Sequence, residues 1–190
     1  MENVMLDLET LDIKSSAVVV AIGAVIFDPY AEEQNWKDVV KLPNFYSVLE
    51  LDEQIAAGRT VTGDTVRWWM KQGAQARRVF QDKMESVEPA MIAMENWVRK
   101  FTHRSNAKIW GNGSSFDCVI LESLFHTYER KFVGEYWNFR DLRTLKEDAG
   151  SPRLEFETTA VAHNALDDAR VQVMAAQTYR SIIGIRPEDA

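Results

Sequence analysis

Residues Asn3-Val4-Met5-Leu6-Asp7-Leu8-Glu9-Thr10 form an apolar run that carries two carboxylates. In a β-strand, successive side chains alternate between faces, so Val4, Leu6 and Leu8 share one face while Met5, Asp7 and Glu9 share the other. At about 3.3 Å per residue the two acids stand roughly 6.6 Å apart and point the same way. Like charges beside apolar neighbours repel unless a cation lies between them, which makes a divalent metal the first hypothesis for this strand. The plain alternative is a pair at a strand end facing water. More acids arriving from elsewhere in the chain decide between the two.

The next constraint is the run Val18 to Phe27, closed by the turn signal Asp28-Pro29. Within the longest apolar stretch, Ala17 to Phe27, it is too short to span a bilayer and rich in β-branched residues, so it reads as a buried strand. A third strand is expected near 45–49 and a polar, Gly-containing loop over 51–63. Asp64 then suits the N-cap of a short helix whose stripe is Val66, Trp69 and Met70, interrupted at Gly73. A helix is expected from about Pro89 to Phe101, with Met94, Trp97, Val98 and Phe101 at helical spacing. Strand 108–110 leads through Gly111-Asn112-Gly113 into a helix near Ser114, and strand 136–139 precedes a helix at 141–148. The last helix follows His163 and turns Val171, Met174, Ala175, Thr178 and Ile182 inward. Strands first, then alternating helices and strands, indicate an α/β domain with a mixed sheet. The 190 residues, 46% hydrophobic, suit a single domain over 1–190.

A net charge of −7 is unusual for a protein that grips long duplexes through phosphates, yet compatible with one that holds a few nucleotides at an end. Such a site needs acids for its metals, and the metals then supply local positive charge. Cys118 is the sole cysteine and reads as a small buried hydrophobe, so a reducing, cytoplasmic setting is expected, without a signal peptide or membrane span. No Cys/His cluster suggests a structural zinc, while oxygen-only ligands suit Mg²⁺ or Mn²⁺.

Two further acids lie at helix starts. Asp117, after the Gly-Asn-Gly turn, reads alone as the N3 partner of Ser114 in a capping box. In His163-Asn164-Ala165-Leu166-Asp167-Asp168, Asn164 caps the last helix and Asp167 at N3 is explained by capping and the helix dipole. Asp168, one position on, is not. Singly, each acid reads as structural; together, Asp-x-Glu on a strand, an acid opening a central helix, and His five residues before Asp point to one site.

These three segments resemble the exonuclease motifs of the DEDDh, or DnaQ-like, 3′-5′ exonucleases. Motif one is Asp7-Leu8-Glu9-Thr10, motif two Phe116-Asp117, and motif three His163 to Asp168. The stretch Thr65 to Gln72 is similar to that of small stand-alone ribonuclease T-like exoribonucleases of bacteria and phages, relatives of which are often labelled exodeoxyribonuclease VIII-like. Many relatives carry His-Asn before Phe-Asp; here the loop reads Asn112-Gly113-Ser114-Ser115, with different polar groups.

The resemblance implies a ribonuclease H-like fold, a five-stranded mixed sheet whose first three strands are antiparallel, with helices on both faces. It also implies two-metal hydrolysis that releases nucleoside monophosphates from the 3′ end of single-stranded or 3′-overhang nucleic acid, RNA in preference to DNA. Asp7, Glu9, Asp117 and Asp168 would hold two Mg²⁺ or Mn²⁺ ions about 4 Å apart, with Asp7 bridging. His163 would act as general base, since an imidazole titrates near neutral pH. Thr10 and Leu11 are expected at the terminal nucleotide, with Asn112 and Trp68 as further contacts. Of the adjacent tryptophans, Trp69 belongs to the packed stripe and Trp68 is the stacking candidate, although core packing is expected for both. Arg67, Lys71, Arg143 and Arg170 could flank the site. Nucleic acid 3′ ends are the implied partner, with no membrane, and a homodimer is allowed. The alternatives are a catalytically silent nucleic-acid-binding module and a phosphatase or phosphodiesterase acting on small nucleotides.

Overall fold

The computed structural model describes residues 2–184. The expected α/β architecture is present, in chain order: β1 (Asn3–Thr10), β2 (Val19–Phe27), α1 (Trp36–Val39), β3 (Asn44–Val48), α2 (Leu51–Ala56), α3 (Gly63–Lys71), α4 (Val87–Arg99), β4 (Lys108–Gly111), α5 (Asp117–Thr127), β5 (Phe139–Asp141), α6 (Leu142–Asp148) and α7 (Ala165–Ile183). The sheet runs β3-β2-β1-β4-β5. The β1–β2 and β2–β3 pairs are antiparallel, and the β1–β4 and β4–β5 pairs are parallel.

Alternation along β1 divides the core as its sequence dictates. Val4, Leu6 and Leu8 pack with Met91, Met94, Leu121 and Phe125 of α4 and α5. Met5 packs on the opposite face with Val173 and Ala176 of α7 and Leu145 of α6. Every residue of β2 is buried, which is why it carries no polar alternation. No helix among the described residues is long and apolar enough to cross a membrane.

Several expectations need correction. Residues 51–56 are helical rather than a loop: this short helix turns inward a polar residue, Gln54, whose amide accepts from Val19 N and donates to Val19 O, both at 2.8 Å. A 3₁₀ turn at Ala76–Gln81 was not foreseen. Tyr136–Asn138, which aromatic content favours as a strand, is another 3₁₀ turn; pairing with β4 begins at Phe139. Helix α3 is capped by Thr62, whose Oγ1 accepts from Thr65 N, not by Asp64. Its stripe narrows to Trp69, since Met70 is 70% exposed. On α7, Met174 and Ala175 are buried as expected, but Ile182 is 51% exposed and the buried face runs through Ala169, Val173 and Ala176.

Arg59 ties the loop after β1 to α5. Buried and without an acidic partner among the described residues, it donates to Ala17 O at 2.9 Å and to Thr127 Oγ1 at 3.1 Å. Burial lowers its pKa to about 10.

Candidate active site

The site forms where the C-terminal end of β1 meets the first turns of α5 and α7. Asp7 lies opposite Gly23 of β2 in the antiparallel register. Gly23 is the seat of α7: a Cβ there would fall 2.2 Å from the carbonyl carbon and oxygen of Ala165. Only a residue without a side chain lets the helix start this close to the strand, and that approach delivers Asp168 to the carboxylates of β1.

The start of α7 is built as its sequence indicates. Asn164 Oδ1 accepts from Asp167 N at 3.1 Å. Asp167 also accepts from Val161 N at 3.0 Å and pairs with Arg170 at 3.0 Å, so its role is structural. Asp168 Oδ2 accepts from His163 N at 2.9 Å. His163 itself is held at φ +63°, in the left-handed region that non-glycine residues rarely adopt. Ligand atoms of Glu9, His163 and Asp168 all lie within 4.8 Å of one another.

Asp117 is not the capping-box partner of Ser114. The helix begins at Asp117 itself, and its Oδ1 accepts from Leu8 N at 3.2 Å. Pairing of β1 with β4 stops at Met5–Trp110, so the carboxylate takes a backbone donor that the diverging strand leaves free. Gly111 makes room, since a Cβ there would meet Asp117 Oδ2 at 2.9 Å. Ser114 N instead donates to Asp141 Oδ2 at 2.5 Å.

Four carboxylates so close disfavour one another's ionisation. Burial first, then the charges of Asp117, Glu9 and Asp168, hold Asp7 well above the usual carboxylate range. Burial, with Asp168 and Asp117, pushes Glu9 up to about 8. Burial raises Asp117 to about 7 against the opposing hydrogen bond from Leu8. Asp168 is raised too, chiefly by burial. An all-oxygen donor set that strains to stay charged without counter-ions fits hard divalent cations.

Asp7, Glu9, His163 and Asp168 line a cavity of about 820 Å³. Asp117 sits just behind, 3% exposed, and acts on the others through its charge. Among the expected substrate contacts, Thr10 lines the cavity, and Trp68 does too at 42% exposure, so core packing does not describe Trp68. Trp69 is buried and donates from Nε1 to Thr10 O at 2.9 Å. Leu11 turns into the core beside Trp69, and Ile13, with Leu8 and Phe116, lines the cavity in its place. Asn112 is exposed in a neighbouring depression of about 200 Å³, its carbonyl accepting from Arg143 at 3.1 Å. Arg143 reaches the cavity wall; Arg67 pairs with Asp64 instead.

Sequence reasoning missed Gln172, whose Nε2 donates to Asp7 Oδ1 at 2.6 Å. Its signal was present: position 172 lies four residues after Asp168, on the same face of α7. Gly23 and Ile13 carry no comparable local signal.

The sequence profile of the 3′-5′ exoribonuclease Rv2179c-like domain family matches residues 2–180. An exodeoxyribonuclease of Enterobacteria phage T4 is 27% identical over 164 residues, covering 75% of this chain and 70% of that protein. Among solved structures, the cell-death related nuclease 4 (CRN-4) superposes with a TM-score of 0.57 at 14% identity, covering 94% of this chain. The chain spans 64% of CRN-4, less than two thirds of its length. The nuclease domain of 3′hExo, a DEDDh family member solved bound to rAMP, gives a TM-score of 0.54 at 10% identity, covering 97% of this chain and 94% of that one. At such identities these two structures speak for the fold, which is the one expected from the three motifs.

Proposed function

Since the chain belongs to the Rv2179c-like 3′-5′ exoribonuclease domain family, and is a 3′-5′ exonuclease of the hydrolase class, we propose that it releases nucleoside monophosphates from the 3′ end of single-stranded or 3′-overhang nucleic acid, RNA in preference to DNA. One observation carries this reading. Glu9 of β1 and the His163–Asp168 segment, 154 residues further along the chain, bring their ligand atoms within 4.8 Å of one another, with Asp7 and Asp117 adding charge beside them. A silent binding module would have no need to keep all five.

Asp7, Glu9, Asp117 and Asp168 would hold two divalent cations, Mg²⁺ or Mn²⁺, whose repulsion-relieving charge fits the raised carboxylate pKa values. When bound, the ions supply Lewis acidity and positive charge for the phosphodiester under attack. Gln172 fixes one oxygen of Asp7. His163 is the general base and takes the proton of the attacking water at a ring nitrogen. The terminal nucleotide lies against Thr10, with Ile13 and Trp68 as its apolar walls. We read residues 1–190 as one exonuclease domain, working in a reducing cytoplasm where buried Cys118 stays a thiol.

The test is a side-by-side digestion of matched 5′-labelled and 3′-labelled RNA and DNA, with and without chelator, beside a generic phosphatase substrate. Expected are ladders from 5′-labelled strands, immediate mononucleotide release from 3′-labelled strands, faster loss of RNA, and an intact phosphatase substrate. Digestion that persists in excess chelator, or that starts at the 5′ end, refutes the reading.

A further inference from the structure

A general base works only if its ring points at the proton it takes, and enzymes commonly orient a catalytic imidazole with a hydrogen bond from a third group. Among the described residues, His163 makes a hydrogen bond through its backbone N–H, to Asp168, and none through its ring. What meets the ring is aromatic. The indole of Trp68 lies edge-to-face against it, with centroids 4.8 Å apart and planes at 80°.

That contact is the end of a stack. Trp68 meets Trp69 at 5.1 Å and 81°, and Trp69 meets Phe80 at 5.0 Å and 90°. All three contacts fall within the preferred range for edge-to-face pairs. The stack is also anchored to the metal-side strand, because Trp69 Nε1 donates to the carbonyl of Thr10, the residue after Glu9. Asp7 and Glu9 lie on that strand, and the imidazole is referred to it through the two indoles, Trp69 also meeting the ring directly at 6.3 Å and 74°. The left-handed backbone of His163 directs the side chain, but rotation about its own bonds is restrained only by packing.

We propose that Trp68 is a positioning residue for His163: its ring, backed by Trp69 and Phe80, holds the imidazole beside the carboxylates of Glu9 and Asp168. Helix α3 therefore serves the chemical step through the base, in addition to walling the cavity. The inference rests on His163 being the general base, and its test separates the two ideas.

The test is a double-mutant cycle read at saturating single-stranded oligonucleotide. Trp68 is partly exposed on a surface helix, so Trp68→Ala keeps the fold, which a melting curve checks. Trp68→Ala is expected to lower kcat about 10- to 100-fold, the scale of a misplaced catalytic group, with KM changed far less. Trp68→Phe, which restores an aromatic edge, is expected to recover most of the loss. In a His163→Ala background, Trp68→Ala should cost nothing further, because the group it positions is gone. In the metal-free protein, the His163 ring resonance should be sharp in the wild type and broadened in Trp68→Ala. A raised KM at unchanged kcat would make Trp68 a wall for the nucleobase alone and overturn the proposal. So would a fully additive loss in the double variant, or an equally sharp resonance. If His163→Ala alone leaves kcat intact, the base reading falls and the brace falls with it.

Discussion

Gly23→Ala adds one methyl group to a residue that carries no functional group, yet it should disable the enzyme. The new Cβ would lie 2.2 Å from Ala165 C and O and 2.4 Å from Leu166 N, where ordinary contact begins at 3.4 Å. Backbone atoms cannot rotate aside as a side-chain tip can. Either β2 bends or the first turn of α7 retreats by about 1.2 Å, the difference between 3.4 and 2.2 Å. Strand β2 is buried along its whole length between two strands, so the displacement falls on α7. That turn carries Asp168, and the segment leading into it carries His163. Overpacking of this kind costs about 1–3 kcal/mol, which for a domain of this size lowers the melting temperature by roughly 2–12 °C. A misplacement near 1 Å at the chemistry costs about 10²-fold in rate. We therefore expect kcat to fall about 100-fold on a 5′-fluorescent single-stranded oligonucleotide, measured well below the variant's melting temperature. Gly73→Ala is the control, because nothing lies within 4 Å of a Cβ at that position. Wild-type kcat and melting temperature in Gly23→Ala would refute the dependence of the site on this close approach.

The remaining predictions concern the acids and the base. Because burial, with the charges of Asp168 and Asp117, raises Glu9 from 4.5 to about 8, and burial raises Asp117 from 3.8 to about 7, the folded protein binds more protons than the unfolded chain between those limits. Stability in chelator should therefore fall as pH rises from about 4 to 8, and millimolar Mn²⁺ should restore the melting temperature at the upper end; a flat profile contradicts the charge cluster. Asp7→Asn should remove activity by several orders of magnitude while raising the melting temperature in chelator at pH 8, since it deletes one buried like charge and keeps an acceptor for Gln172. His163→Ala should lower kcat about 10²–10⁴-fold with Mn²⁺ affinity, measured by calorimetry, nearly unchanged, and its residual rate should climb with pH as hydroxide replaces the base. Asp168→Ala should weaken Mn²⁺ binding and gain nothing from alkali; retained affinity there would remove Asp168 from the ligand set.

The two-residue alternation of β1 alone placed Asp7 and Glu9 with Met5 on one face and Val4, Leu6 and Leu8 on the other; the structure packs Met5 and the Val4, Leu6, Leu8 set into separate cores and leaves the two acids at the cavity. Capping at the start of α7 was legible too: Asn164 and Asp167 account for it and leave Asp168 outside the cap, although the same chemistry misled at Asp64 and Asp117. Both readings succeed because they depend on covalent spacing and on hydrogen bonds within one turn. Where a side chain serves a distant backbone, the same logic failed. Gln54 pairs with Val19, and Asp117 takes the amide of Leu8 that β4 does not reach. Neither partner is near in sequence, so no periodicity announces it. What the sequence by itself determined is which residues of β1 share a face and which residues cap α7. Only the tertiary structure decided that Gly23 would seat α7, that Gln172 would hold Asp7, and that Trp68 would stand against His163. The reason is physical: those contacts exist only once a crossover brings α7 and α3 over the end of the sheet, and their geometry is set by close packing between elements rather than by the spacing within any one of them.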